Sequence, residues 1–167
     1  MEDHAGRSAL TIYRRMTREI VTKSAQETEA FASRAMKDLG DTHVVALEGN
    51  LGAGKTVFVK GIARALKIKH IIQSPTFVIM RVYPVNHKKI KKLVHVDCYR
   101  LRGSHELLDI GLADYIADPA SLVVIEWAER IHDLLPPDTL TVIFERQGPS
   151  DIRKLIVSRP AGTSKKL

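Results

Sequence analysis

The apolar residues of the chain form two patterns that alternate along the sequence, short continuous runs and stripes at helical spacing. The runs predict strands at residues 43–48, 77–84, 90–97, 121–126, 139–145 and 152–158. One stripe, from Phe31 to Leu39, predicts a helix that begins at the capping-box sequence of residues 24–27 and stops at Gly40. A second stripe, from Phe58 to Leu66, predicts a helix directly after a glycine-rich segment.

That glycine-rich segment carries the most specific chemistry in the sequence. Residues 49–56 read Gly-Asn-Leu-Gly-Ala-Gly-Lys-Thr, a complete phosphate-loop motif between a predicted strand and a predicted helix. Glycines let backbone amides close around phosphate oxygens, and the helix N-terminus favours an anion. We expect Lys55 to contact the β- and γ-phosphates and the Thr56 hydroxyl to bind magnesium. The sequence therefore predicts a protein that binds a nucleoside triphosphate.

The order of the elements predicts the fold class. Continuously apolar strands next to helices are typical of a parallel sheet covered on both faces. The later strands are closely spaced, with turns at residues 84–87 and 147–150, and such strands form antiparallel hairpins. We expect an α/β fold of the P-loop NTPase kind, a three-layer α/β/α sandwich with a mostly parallel central sheet and antiparallel hairpin strands.

Composition is consistent with a single compact domain. The chain has 167 residues, of which 44% are hydrophobic. We expect an N-terminal extension at residues 1–23, an ATPase domain at 24–158 and a basic tail at 159–167. The single cysteine, Cys98, excludes an internal disulfide framework and fits a reducing compartment. No apolar run approaches the roughly 18 residues of a membrane span, so we expect a cytoplasmic protein that does not contact membranes.

The net charge of +7 is concentrated in three segments. Residues 1–23, 81–92 and 153–167 carry the excess of bases, and the rest of the chain is net acidic. Such segments can contact RNA or an acidic protein face, although a run of like charges is more often a solvated surface. Direct or indirect contact with tRNA therefore stays open at this point.

Two acidic residues end apolar strands and are candidates for metal and water chemistry. Glu126 follows a buried run, the position from which P-loop proteins hold a magnesium-bound water. Asp97 could orient water or assist the metal, but an ion pair with Arg100 is the alternative. In the segment Ser74-Pro75-Thr76-Phe77, Thr76 could sense the γ-phosphate as a switch residue does, or the segment could be a plain turn.

Four blocks of sequence, taken in order and spacing, resemble the bacterial TsaE (YjeE) family. They are residues 47–56, 74–77, 95–101 and 125–130. The resemblance extends from about Ser24 to about Val157. It implies a small P-loop ATPase that assists the TsaD–TsaB pair in making threonylcarbamoyladenosine (t6A) in tRNA, using ATP binding or hydrolysis to reset that complex between turnovers.

The resemblance also implies the site residues and cofactors. ATP and Mg²⁺ are the expected cofactors, with Thr56 and Glu126 on the metal and Lys55, Asp97 and Glu126 as catalytic residues. Ser24 belongs to an early loop expected near the adenine. The full set of expected nucleotide contacts is Asn50, Leu51, Gly52, Ala53, Gly54, Lys55, Thr56, Val57, Ser24, Thr76 and Asp97. Family members often have a second Thr where this chain has Val57, so any contact through that hydroxyl is missing here.

Two other classes of function remain open from the residues. A small-molecule kinase would use the same phosphate loop, but the sequence has no obvious arginine-bearing lid. The other class is a basic RNA-binding module, but this sequence has few aromatic residues for base stacking, since aromatics are 5% of the chain. We expect slow hydrolysis by the isolated chain, because the sequence offers no convincing internal arginine finger. Arg100 and Arg130 are candidates, but each could instead pair with a neighbouring carboxylate.

Overall fold

A computed structural model describes residues 15–103, 105–148 and 151–160 of the chain. Its strands are β1 (Arg15–Thr22), β2 (Val44–Gly49), β3 (Met80–Pro84), β4 (Lys92–Asp97), β5 (Ser121–Glu126), β6 (Leu140–Arg146) and β7 (Arg153–Pro160). Its α-helices are α1 (Ala25–Ala35), α2 (Lys55–Ala65), α3 (His105–Asp109) and α4 (Leu112–Ala117). Short 3-10 helices cover Met36–Asp38 and Ala128–Leu134.

The strands form one seven-stranded sheet in the order β1-β7-β6-β2-β5-β4-β3. The four central strands, β6, β2, β5 and β4, pair in parallel. The outer pairs β3–β4, β6–β7 and β1–β7 are antiparallel. This arrangement confirms the predicted fold class, with a parallel centre and hairpin strands at its sides.

The sheet separates two hydrophobic cores, as a three-layer sandwich requires. Alternate residues of β2 point to opposite faces, so Val45 and Leu47 join one core while Val44 and Ala46 join the other. The first core lies under α1 and α2, and the second under α3, α4 and the 3-10 helix Ala128–Leu134. Strand β5 is buried along its whole length because both faces are covered.

The boundaries of three elements differ from the sequence prediction. Residues 15–22, assigned to the N-terminal extension, form β1 and pair with β7 along its whole length. Strand β7 continues to Pro160, so the first residues of the predicted basic tail lie in the sheet. The strand predicted at 77–84 begins only at Met80, because the amides of Val78 and Ile79 turn back to the Pro75 carbonyl.

Within the described ranges, no helix is long and apolar enough to cross a membrane. Residues 149 and 150 of the predicted turn at 147–150 lie outside the described ranges. So do residues 1–14 of the predicted extension and residues 161–167 of the predicted tail.

Candidate nucleotide-binding site

The phosphate loop connects the end of β2 to the start of α2, where parallel strands of such sheets usually bind ligands. Three of its glycines, Gly49, Gly52 and Gly54, have positive φ angles of 130°, 73° and 107°. A Cβ at Gly49 would lie 2.5 Å from the carbonyl oxygen of Phe144 on the neighbouring strand β6. The glycines are therefore required by the loop path and by its close approach to the sheet.

Lys55 is buried at the first position of α2, with 4% of its surface exposed. Its Nζ donates hydrogen bonds to the carbonyl oxygens of Gly49 at 2.5 Å and Asn50 at 2.9 Å, and lies 3.7 Å from the centre of the Trp127 ring. Burial lowers the pKa of Lys55, and the negative charges of nearby acids, Glu126 foremost, oppose that shift. The ammonium is thus held at the loop by contacts that phosphate oxygens could replace.

Glu126, at the end of β5, contacts Thr56, the residue that follows Lys55 in the phosphate loop. The Thr56 hydroxyl lies 2.9 Å from Glu126 Oε1 and 3.0 Å from Oε2, so it donates to the carboxylate. Oε1 also lies 2.8 Å from Nε2 of His95, on β4. Both His95 and Glu126 are buried, at 0% and 3% exposure. Three elements that are distant in sequence therefore converge on one carboxylate.

Asp97 lies beside Glu126, since the two residues occupy partner positions on β4 and β5. One of its oxygens, Oδ2, accepts hydrogen bonds from the hydroxyls of Ser74 and, at 2.6 Å, Thr76. The other, Oδ1, accepts a bond of 2.9 Å from the Tyr99 amide. The segment predicted as a switch therefore lies directly against this carboxylate.

The two arginines considered as internal fingers have other contacts. The Arg100 guanidinium lies 4.2 Å from the centre of the Phe77 ring, and Arg130 donates a bond of 3.1 Å to the Leu101 carbonyl. The partners of Asp97 are hydroxyl groups and an amide. The predicted alternative, an ion pair between Asp97 and Arg100, does not occur within the described residues.

The structure brings most of the predicted site residues to one end of the sheet. Thr56 contacts Glu126, Asp97 lies beside Glu126 and contacts Thr76, and Lys55 precedes Thr56 at the start of α2. Asn50 and Leu51 lie exposed in the loop, and Val57 is half-buried in the first turn of α2.

Ser24 has a structural contact of its own. Its Oγ accepts a bond of 3.1 Å from the Glu27 amide, and Glu27 Oε2 accepts one of 2.7 Å from the Lys23 amide. Ser24 therefore caps α1 as predicted, whereas Glu27 reaches the amide one residue before the N-cap rather than the N-cap amide of a standard capping box. The expected position of Ser24 near the adenine stays a prediction.

Three residues that contact the site were given no role from the sequence. His95 binds Glu126, Ser74 binds Asp97, and Arg153 of β7 donates a bond of 3.1 Å from Nε to the Ala53 carbonyl in the phosphate loop. A signal for His95 was available, because His95 and Asp97 are two residues apart and therefore face the same side of β4. Arg153 gave no signal, since it is 100 residues from Ala53.

The chemistry of the site fits magnesium better than a metal held by protein alone. No group of three His, Cys, Asp or Glu side chains that could hold a metal occurs among the described residues. Magnesium usually binds one or two carboxylates together with substrate phosphates and waters. The adjacent hydroxyl of Thr56 and carboxylate of Glu126 supply the protein's share of such a site.

Comparison with known proteins places the chain in a family. A family model described as "Threonylcarbamoyl adenosine biosynthesis protein TsaE" matches residues 22–155. The tRNA threonylcarbamoyladenosine biosynthesis protein TsaE of Bacillus subtilis (strain 168) is 36% identical over 130 residues, covering 78% of each chain. The protein of the same name from Treponema pallidum (strain Nichols) is 40% identical over 122 residues, or 73% of this chain and 87% of that protein.

A solved structure agrees with the sequence matches. The crystal structure of Bacillus subtilis YdiB matches with a TM-score of 0.71 and 30% sequence identity, covering 89% of this chain and 88% of that one. On the family model, the curated relatives and this structure together, the chain belongs to the TsaE family.

Proposed function

We propose that this chain is a P-loop ATPase that binds Mg-ATP at residues 49–56 and acts in t6A modification of tRNA in the cytoplasm. The observation that carries the proposal is the convergence of Lys55, Thr56, Glu126 and Asp97 at one end of the sheet. A cation, a hydroxyl and two carboxylates next to a glycine-rich loop are the set that phosphoryl transfer needs. The relatives' names supply the biological context.

Each residue has a distinct role in this proposal. Loop amides and Lys55 bind the phosphates, and Lys55 exchanges its carbonyl and Trp127 contacts for phosphate oxygens. Thr56 and Glu126 hold Mg²⁺, which supplies charge stabilisation to the phosphates when bound.

Asp97 acts near the γ-phosphate and orients the attacking water. The hydrogen bond that it accepts from Thr76 couples the position of Asp97 to the 74–77 segment. A segment that contacts Asp97 through two hydroxyls can respond when a phosphate occupies the site, because those hydroxyls can exchange Asp97 for phosphate oxygens.

Hydrolysis by the isolated chain is slow in this proposal. The guanidinium groups of Arg100 and Arg130 already contact Phe77 and the Leu101 carbonyl, and neither acts as the finger in this proposal. A finger supplied by a partner typically accelerates phosphoryl transfer by about 10³- to 10⁵-fold. We propose that TsaD–TsaB is that partner and that ATP turnover resets the complex between rounds of modification.

Phosphate release from Mg-ATP tests the proposal, measured for the chain alone and with the purified TsaD–TsaB pair. We expect strong stimulation by the pair, and loss of it in Lys55→Ala and Glu126→Ala. Lys60→Ala, an exposed lysine on the same helix, is the matched control and should keep full activity. Equal phosphate release by wild type and both site variants would refute the proposal, and transfer of phosphate to an added metabolite would point to a kinase instead.

A further inference from the structure

His95 is buried where the apolar face of the sheet meets the carboxylates of the site, and a fully buried imidazole needs an explanation there. It lies on the same face of β4 as Leu93, which packs in the core under α2, and none of its surface is exposed. Burying an imidazole is unfavourable unless its polar atoms are paired. The contact that pairs it is the 2.8 Å hydrogen bond between Nε2 and Glu126 Oε1.

The other ring nitrogen identifies the form in which His95 makes this bond. Nδ1 is buried and has no hydrogen-bond partner among the described residues. A hydrogen on Nδ1 would therefore be an unsatisfied buried donor, whereas a bare lone pair there is less unfavourable. The tautomer with its hydrogen on Nε2 fits both nitrogens, so His95 donates to the Glu126 carboxylate.

This bond fixes the rotation of the Glu126 carboxylate. His95 binds Oε1, while the Thr56 hydroxyl lies within 3.0 Å of both oxygens. Without His95, the carboxylate could rotate about its last side-chain bond and lose its alignment with Thr56. A donor of this kind behind a metal-binding carboxylate usually determines how well the metal binds.

We propose that His95 is a positioning residue that holds the Glu126 carboxylate in the orientation that binds Mg²⁺ together with Thr56. The inference rests on the proposed function, since it needs a magnesium ion at Glu126. It adds that the magnesium affinity of the site is determined partly by a side chain that contacts neither metal nor nucleotide.

Binding of the fluorescent analogue mant-ATP, titrated with Mg²⁺ and also measured in EDTA, tests this role in the full-length chain. His95→Leu removes the donor while filling a similar volume. We expect it to raise the Mg²⁺ concentration needed for half-maximal enhancement of binding by about 10- to 100-fold. Binding in EDTA should stay at the wild-type level, because the phosphate loop itself is unchanged.

Two controls separate positioning from packing. His95→Gln can place an amide donor near the position of Nε2 and should recover most of the magnesium response. Val94→Ala removes buried volume from the same strand on the opposite face, so it should lower the unfolding temperature without changing the magnesium response. Thermal unfolding of each variant confirms that it is folded at the assay temperature.

The outcomes are distinguishable. A wild-type magnesium response in His95→Leu, or an equal loss with and without Mg²⁺, would overturn the positioning role while leaving the proposed function intact. Failure of the unmodified chain to bind mant-ATP under any condition would instead remove the proposed function and this inference with it.

Discussion

At the scale of single residues, Lys55 shows how the site surrounds a buried ammonium with groups that attract it. Its ammonium is surrounded by two carbonyl oxygens and an aromatic face, all of which attract a cation. Burial lowers the pKa of Lys55, and the nearby carboxylates of Glu126, Glu129 and Asp97 act against burial. The contacts with the Gly49 and Asn50 carbonyl oxygens and the Trp127 ring hold Nζ at the phosphate loop.

Cys98 shows the opposite case, a residue next to the site that is kept out of chemistry. Burial, helped by the charges of Asp97 and Glu129, raises the pKa of the Cys98 thiol to about 12. An unfolded thiol has a pKa near 8.5, as an order-of-magnitude reference. At neutral pH the native thiol therefore stays protonated and buried.

The raised thiol pKa predicts a pH dependence of stability. Between about pH 8.5 and 12 the unfolded chain releases the Cys98 proton while the native chain keeps it, so stability falls as pH rises. The loss from this group approaches roughly 1.4 kcal/mol per pH unit within that window. Urea unfolding at pH 7.5 and 9.5 checks this. Cys98→Ala should show a smaller decrease between the two values, and an identical decrease would contradict the prediction.

At the scale of elements, the packing of α1 on α2 depends on a glycine in the middle of a helix. A Cβ at Gly61 would overlap the carbonyl oxygen of Glu29 and lie 2.6 Å from the Cβ of Ala32, both on α1. Sequence reasoning treats a helical glycine as a weak point. Here the missing side chain lets the two helices approach closely over the first core.

Gly61→Ala tests this close approach. Alanine has the better helix propensity by about 1 kcal/mol, but forced overpacking costs about 1–3 kcal/mol or more. We expect a net loss of stability, measured as a lower urea midpoint, because backbone atoms of α1 cannot move aside as a flexible side chain can. Lys60→Ala, its exposed neighbour, should leave the midpoint nearly unchanged. A stabilised Gly61→Ala variant would show that the helices are not in contact there.

Elements were predictable to different degrees. The apolar runs of β2, β4 and β5 identify buried strands because both faces of these strands contribute to a core, whereas β6 alternates between buried and partly exposed residues. Strand β1 was missed because its sequence mixes charged and apolar residues, and its partner β7 lies at the other end of the chain. A plain turn at 74–77 was one of the predicted alternatives, but its extension to Ile79 was missed because the apolar residues Phe77 to Ile79 match a strand pattern, whereas Phe77 is 82% exposed.

At the scale of the whole molecule, β1 covers the sheet edge beyond β7. Eight register pairs join β1 and β7, and Glu19 and Lys154 form an ion pair of 2.8 Å across them. The side chain of Ile20 packs partly into the first core. Because β7 also supplies Arg153 to the phosphate loop, the N-terminal strand supports the site through its neighbour.

Truncation tests this support. A variant that starts at Lys23 lacks β1 and the backbone hydrogen bonds between β1 and β7. Each such bond contributes on the order of 1 kcal/mol, so we expect the free energy of unfolding to fall by several kcal/mol. We also expect aggregation through the exposed edge of β7. A variant that starts at Arg15 keeps the strand and serves as the control. Urea unfolding compares the stability of the two variants, and light scattering compares their aggregation. Equal stability of the two variants would show that β1 is dispensable.

The sequence by itself determined the phosphate loop, the fold class and the family resemblance, because these depend on local spacing and on the period of apolar residues. It also identified Glu126 and Asp97 as strand-end acids. Only the tertiary structure decided that His95 meets Glu126, 31 residues away, and that Arg153 meets Ala53, 100 residues away. Such contacts depend on which strands are neighbours in the sheet and on their register. Both are set by strand pairing in the folded chain, which the local sequence around each residue does not specify.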